Sequence, residues 1–225
     1  MSETLYIVAT PIGNLSDISP RAIETLTKVD LIACEDTRVT KKLTDRFKIQ
    51  TPRTSLFAHS GSVKVDELIS KLKEGKSIAY VSDAGTPGVN DPGGKLVEAA
   101  YAEGITVSPI PGPSAVTTAI SVCGFPMERF RYTGFAPHKK GRETFFKSIE
   151  EEKDAVIFFE STHRIEKTIT NLKEHLSPTR NIFVGRELTK QFETLYRGTV
   201  DEVENQMKHT SLKGEFVLIV APAKG

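Results

Sequence analysis

The sequence predicts an α/β protein of two α/β domains, residues 1–124 and 125–225. Three observations carry that expectation. Short apolar, β-prone runs alternate with segments of helical period, a spacing that builds mostly parallel sheets with helices on their faces. The runs end in turns dense in Gly and Pro. The character then changes at Gly124-Phe125-Pro126, beyond which the strand-like runs are richer in Phe. A chain of 225 residues has room for one large domain or two small ones, and no low-complexity linker interrupts it.

The elements follow in order. Leu5-Tyr6-Ile7-Val8-Ala9 is the first strand. Thr10-Pro11-Ile12-Gly13-Asn14 stops it, because Pro has no ladder donor and Gly favours a turn. Ser19 offers an N-cap with Pro20 at the first helical position, and Ile23, Leu26 and Val29 continue at helical spacing. Asp30 to Cys34 reads as the next strand, ending in Glu35-Asp36-Thr37-Arg38 before a basic helix. Val65, Leu68, Ile69 and Leu72 form one helical face closed by Gly75. Ile78 to Val81 is a strand that enters the loop from Ser82 to Gly88. Asp91-Pro92 opens a helix ended by Gly104, and Ile105 to Val107 leads to Pro109-Ile110-Pro111-Gly112-Pro113-Ser114-Ala115 and a small-residue helix. Further on, strands are expected at Val156 to Phe159, Ile182 to Val184, within Phe192 to Gly198, and at Phe216 to Val220, with a helix from about Thr162 to Leu176.

Charge and composition exclude several classes. Lys plus Arg is 30 and Asp plus Glu is 29, which rules out a histone-like polycation or an acidic tail. No apolar stretch reaches the ~18 residues of a membrane span, and the start lacks a basic n-region, so no membrane association is expected. Cys34 and Cys123 match no ligand spacing and read as reduced core thiols of a cytoplasmic protein. The five His residues show no metal spacing, so no metal site is expected, and His59, His138 and His209 read as surface residues. Walker A, G-x-G-x-x-G and G-x-S-x-G motifs are all absent.

The three loops Thr10 to Asn14, Ser82 to Gly88 and Pro109 to Ala115 fall at strand carboxyl ends, where parallel sheets bind ligands. Gly permits close approach and Pro stiffens the loop, which suits a small molecule held by backbone groups. Glu35 and Asp36 are placed to polarise a hydroxyl and Arg38 to hold a phosphate, although the same cluster reads equally as a helix N-cap. Two stretches are locally basic: six Lys/Arg against three acids from Glu35 to Arg53, including Lys41 and Lys42, and six against two from Glu128 to Lys147, including Lys139, Lys140 and Arg142. Either can be a solvated face or a footprint for a polyanion.

Seven segments in order give the chain a resemblance. They are Leu5 to Leu15, Ala33 to Arg38, Val81 to Pro87, Pro111 to Ala115, Phe159 to Arg164, Arg186 to Lys190 and Lys213 to Phe216. Together they are similar to the tetrapyrrole methylase family, which uses S-adenosylmethionine. The resemblance implies two α/β domains with the cofactor in the interdomain cleft, usually as a homodimer. It places cofactor contacts at Pro11, Ala84, Gly85, Thr86, Val89, Ser114 and Ala115, and near Glu160 and Leu188. The wider family usually has Gly-Asp-Pro where this chain has Gly85-Thr86-Pro87. That departure is similar to the RNA-directed branch and implies 2′-O-methylation of a cytidine ribose in the decoding region of small-subunit ribosomal RNA, free or in the 30S particle. Lys41, Lys42, Lys139, Lys140 and Arg142 would then meet RNA. Two alternatives stay open: a methylase of a small tetrapyrrole or precorrin, and a non-catalytic RNA-binding ribosome-assembly factor.

Overall fold

A computed structural model describes residues 3–57 and 61–223; His59 lies outside them. The chain divides into two compact units, Met1–Ser114 and Ala115–Gly225.

The first unit alternates strand and helix throughout: β1 Thr4–Val8, α1 Pro20–Lys28, β2 Leu31–Cys34, α2 Thr37–Arg46, β3 Arg53–Ser55, α3 Gly61–Lys73, β4 Ile78–Val81, α4 Gly93–Ala102 and β5 Thr106–Ile110. The sheet order is β3-β2-β4-β1-β5, and each pairing is parallel. The local signals act as their chemistry dictates. Ser19 caps α1 by accepting the Ala22 amide at 3.1 Å, with Pro20 in the first turn. Asp36 caps α2 by accepting the Arg38 amide at 2.8 Å.

Two crossovers, β1 to β2 and β2 to β3, run toward the β3 edge; the next two, β3 to β4 and β4 to β5, run back toward β5. Right-handed crossovers in opposite directions place their helices on opposite faces. Accordingly Ala22, Leu26 and Leu43 pack with Val8, Ile32, Ala79 and Val81 on one side. Leu68, Leu72, Leu96 and Ala100 pack with Leu5, Ala33, Ile78 and Tyr80 on the other. The connections leaving the neighbours β1 and β4 therefore diverge, and the crevice of a doubly wound sheet opens at their carboxyl ends.

The second unit holds α5 Ala115–Cys123, β6 Phe130–Phe135, α6 Arg142–Glu151, β7 Ala155–Ser161, α7 Ile165–His175, β8 Asn181–Arg186, β9 Thr194–Thr199, α8 Val200–Met207 and β10 Glu215–Val220. Its sheet, β6-β7-β10-β8-β9, is mixed: only β6 and β7 run parallel. Phe146, Ile149, Ile169, Leu172, Val203 and Met207 from α6 to α8 cover one face over Phe158, Val184, Phe216 and Leu218. Each fully buried Phe there contributes roughly 1.5–3 kcal/mol of transfer free energy.

Helix α5 belongs to this second unit, so the division falls at 114/115 rather than at 124. The physical reason is local packing. The α5 helix lies against β10, and the Arg197 guanidinium donates to the Cys123 carbonyl at 2.8 Å while stacking 4.9 Å from the Phe125 ring. Both cysteines are buried and unpaired. No helix is long and apolar enough to cross a membrane among the described residues.

Candidate functional site

The loops after β1, β4 and β5 are stapled to one another by hydrogen bonds to backbone groups. Thr10 and Gly85 form an antiparallel bridge, amide to carbonyl in both directions, at 3.0 and 3.1 Å. The Thr86 hydroxyl donates to the Pro113 carbonyl at 2.9 Å. Gly85 sits at φ +82°, and a Cβ there would stand 3.3 Å from the Ile12 Cγ2 and 3.7 Å from the Pro113 oxygen. The positive φ calls for glycine, and a Cβ would also require the Ile12 methyl to shift by a few tenths of an ångström. The structure thus brings Pro11, Gly85, Thr86 and Ser114, all expected as cofactor contacts, to the carboxyl ends of β1, β4 and β5.

The far end of the β4 loop is latched by Asp91. Its carboxylate accepts from the amides of Gly88 (2.6 Å), Val89 (3.1 Å) and Gly93 (2.9 Å) and from the Tyr80 hydroxyl (3.2 Å). Val89 therefore spends its amide on the loop, while its side chain stays exposed at 37%. The amides of Ala84 and Thr86 make no hydrogen bond with any described residue, which leaves two donors for a ligand.

Four carboxylates gather beside these loops: Glu35, Asp36, Asp83 and Asp91. Their environments differ. Asp36 caps α2 and grips the Arg38 guanidinium at 2.7–3.1 Å, which holds its carboxyl down at about 2. Burial, and then the nearby Asp83 charge, push Glu35 above the ordinary carboxylate range. Burial also raises Asp83, one of whose oxygens accepts the Asp36 amide at 3.0 Å. Of the three residues expected to do chemistry, Asp36 and Arg38 are committed to each other, while Glu35 makes no ion pair with a described residue.

In the second unit, the side chain of the expected cofactor position Glu160 is buried in an internal network. Its side chain has no exposed surface, and it accepts from Arg164 Nε at 2.7 Å, the Thr168 hydroxyl at 2.7 Å and the Ser161 amide at 2.8 Å. Arg142 lies 3.6 Å away and donates to Thr168, Asn171 and the Pro137 carbonyl. At 6% exposure Arg142 cannot belong to a basic surface, contrary to expectation, because those acceptors draw its guanidinium inward. Leu188 is buried against Gly185. Its neighbours Glu187 and Thr189 take positive φ, +51° and +66°. The buried Thr189 hydroxyl has no hydrogen-bond partner among the described residues.

Lys42, Lys139 and Lys140 are exposed and make no ion pair with a described residue, whereas Lys41 pairs with Asp45. Among the described residues no three His, Cys, Asp or Glu side chains group as a metal site. Sequence reasoning missed Asp83, Asp91 and Thr189. Position was the available signal for Asp83, which follows the β4 strand end as Glu35 follows β2.

Rigid Gly/Pro loops at the crevice of a doubly wound sheet, with a mixed-sheet second unit, define a class. The chain belongs to the tetrapyrrole (corrin/porphyrin) methylase family, whose model matches residues 4–204. Among its relatives it is 48% identical to a ribosomal RNA small subunit methyltransferase I from Escherichia coli O157:H7, over 96% of this chain and 77% of that protein. It is 45% identical to the protein of the same name from Synechocystis, over 97% and 79%, and 42% identical to that from Thermotoga maritima, over 96% and 97%. The fold is similar to the cobalt precorrin-4 methyltransferase CbiF (TM-score 0.71, 15% identity, covering 97% of this chain and 95% of that one). It is also similar to diphthine synthase (TM-score 0.75, 16% identity, covering 97% and 90%).

Proposed function

We propose that this protein transfers a methyl group from S-adenosylmethionine to the 2′-hydroxyl of a cytidine ribose in the decoding region of small-subunit ribosomal RNA, in the cytoplasm. The observation that carries this reading is the run of relatives bearing one rRNA methyltransferase name at 42–48% identity over at least 96% of the chain. The residues of the first unit suit the cofactor: unspent amides at Ala84 and Thr86, and a Gly85 whose positive φ favours glycine. Pro11, Ala84, Gly85, Thr86, Val89, Ser114 and Ala115 would hold it, together with the backbone near Glu160 and Leu188.

When bound, the cofactor supplies an electrophilic methyl group on a sulfonium. The chain's part is to place and activate the hydroxyl. Stiff loops fix the reaction geometry, and positioning of this kind supplies ~7–11 kcal/mol in favourable cases. Glu35 accepts the hydroxyl proton as the new carbon–oxygen bond forms; its raised affinity for a proton makes it the better base of the strand-end pair. The Asp36–Arg38 pair anchors the start of α2 and presents the guanidinium, whose side chain is 89% exposed, toward an RNA phosphate. Lys42 in the first unit, next to Lys41 in sequence, and Lys139 and Lys140 in the second add exposed positive charge for RNA phosphates. A homodimer belongs to the same reading, and Phe192 and Leu195, 65% and 44% exposed at the β9 edge, leave apolar surface for a second copy to cover.

The test is single-turnover transfer of labelled methyl to small subunits lacking the modification. Glu35→Gln is expected to slow it by about tenfold or more. A rate within twofold of the wild type removes Glu35 as the base.

A further inference from the structure

Beside the loop crevice, a half-open groove is lined by Thr10, Pro11, Leu15, Val39, Thr40, Lys42 and Asp83. It encloses about 120 Å³. That is well under the ~300–1,000 Å³ of sites for whole cofactors or drug-sized ligands, so it takes one ring-sized group. Its walls are apolar and partly bare: Leu15 is 38% exposed and Val39 37%. Lys42 lines the same groove, exposed and without an ion pair among the described residues. Asp83 uses Oδ1 on the Asp36 amide, and its Oδ2 accepts no hydrogen bond from a described residue. The Thr40 hydroxyl is buried at 4% exposure and makes no hydrogen bond of good geometry with a described residue; the Cys34 thiol lies beside it but donates to the Thr54 carbonyl at 3.4 Å.

We propose that this groove seats the base of the target nucleotide and that Asp83 makes it select an amino-bearing pyrimidine. The inference rests on the reading of the chain as an RNA ribose methyltransferase and goes beyond it, from the activity to the residues that choose the base. The chemistry is complementary at each point. The bare Leu15 and Val39 side chains offer apolar surface to an aromatic ring taken out of its stack. A carboxylate accepts hydrogen bonds and donates none, so Oδ2 suits the exocyclic N4 amino group of cytosine and opposes the O4 oxygen of uracil. Lys42 meets the adjacent phosphate. Glu35, coupled electrostatically to Asp83, then stands within the same cluster as the base so held, where the 2′-hydroxyl must arrive.

The experiment compares methyl transfer to small subunits reconstituted with C or U at the target position, using wild type, Asp83→Asn and the double variant Leu15→Ala/Val39→Ala. Asn at 83 retains an oxygen for the Asp36 amide and gains an N–H donor, so the junction holds while the selectivity changes. The expected result is a C-over-U ratio of kcat/KM reduced about tenfold or more by Asp83→Asn. The double variant is expected to raise KM several-fold with kcat little changed. Calorimetric binding of S-adenosylmethionine, unchanged in both variants, confirms that they are folded. An Asp83→Asn enzyme that transfers methyl with an unmoved ratio, or a double variant with unmoved KM, overturns the groove as the base site. Absence of transfer by the wild type to either particle overturns the functional reading itself, and the groove with it.

Discussion

Glu160→Gln separates a structural carboxylate from a cofactor ligand. The wild-type carboxylate has no exposed surface and lies between Arg164, 2.7 Å away, and Arg142, 3.6 Å away, whose side chains are only 14% and 7% exposed. Gln preserves the shape but removes the charge, and its amide nitrogen must face a guanidinium. Two cations are then buried with no anion between them. Removing one partner of a buried pair costs about 3–5 kcal/mol, a large share of the ~5–15 kcal/mol that holds a typical domain. With a urea slope of about 2 kcal/mol per molar, the midpoint of the transition containing the second unit should fall by about 1.5–2.5 M. The chain has no Trp, so far-UV circular dichroism is the readout. A midpoint within about 0.5 M of wild type, accompanied by loss of S-adenosylmethionine binding, would refute the structural assignment and return Glu160 to the cofactor.

Two further outcomes follow from the first unit. Gly85→Ala forces an L residue to φ +82° and sets a methyl 3.3 Å from Ile12; the backbone term alone is about 1–2 kcal/mol. Stability should drop by at least that much and calorimetry should show weakened cofactor binding, whereas wild-type values on both would remove Gly85 as a constraint on the loops. For Asp36 the folded carboxyl lies at about 2, below its ordinary 3.8. Its contribution to stability is therefore complete above about pH 4 and lost as pH falls toward 2. Unfolding curves of Asp36→Asn should lack that component of the acid slope, and parallel pH profiles for variant and wild type would contradict the cap assignment.

The first unit was legible because its rules are local. Ser19-Pro20 starts α1 by capping chemistry, and the runs ending at Val8, Cys34 and Val81 are buried strands followed by polar turns. The second unit was harder. The β6 strand carries Phe130, Arg131 and Phe135 outward at a sheet edge, so it showed charge without alternation and read as a basic stretch. The α8 helix carries a local signal of its own, the reciprocal box between Thr199 and Glu202. Arg142 could not be placed from its neighbours in sequence, since what buries it are Glu160, Thr168 and Asn171, 18 to 29 residues further along. At the candidate site, the Gly/Pro loops were visible as motifs. The division of labour among Glu35, Asp36 and Asp83 was not, because it depends on burial and on which carboxylate the Arg38 guanidinium selects.

The most direct test is a chase of label from S-adenosylmethionine into unmethylated small subunits, followed by nucleoside analysis of the ribosomal RNA. The expected product is a single 2′-O-methylcytidine from the decoding region, formed only when the intact protein is present. Label on a base, on a small tetrapyrrole offered in competition, or on nothing at all would contradict it.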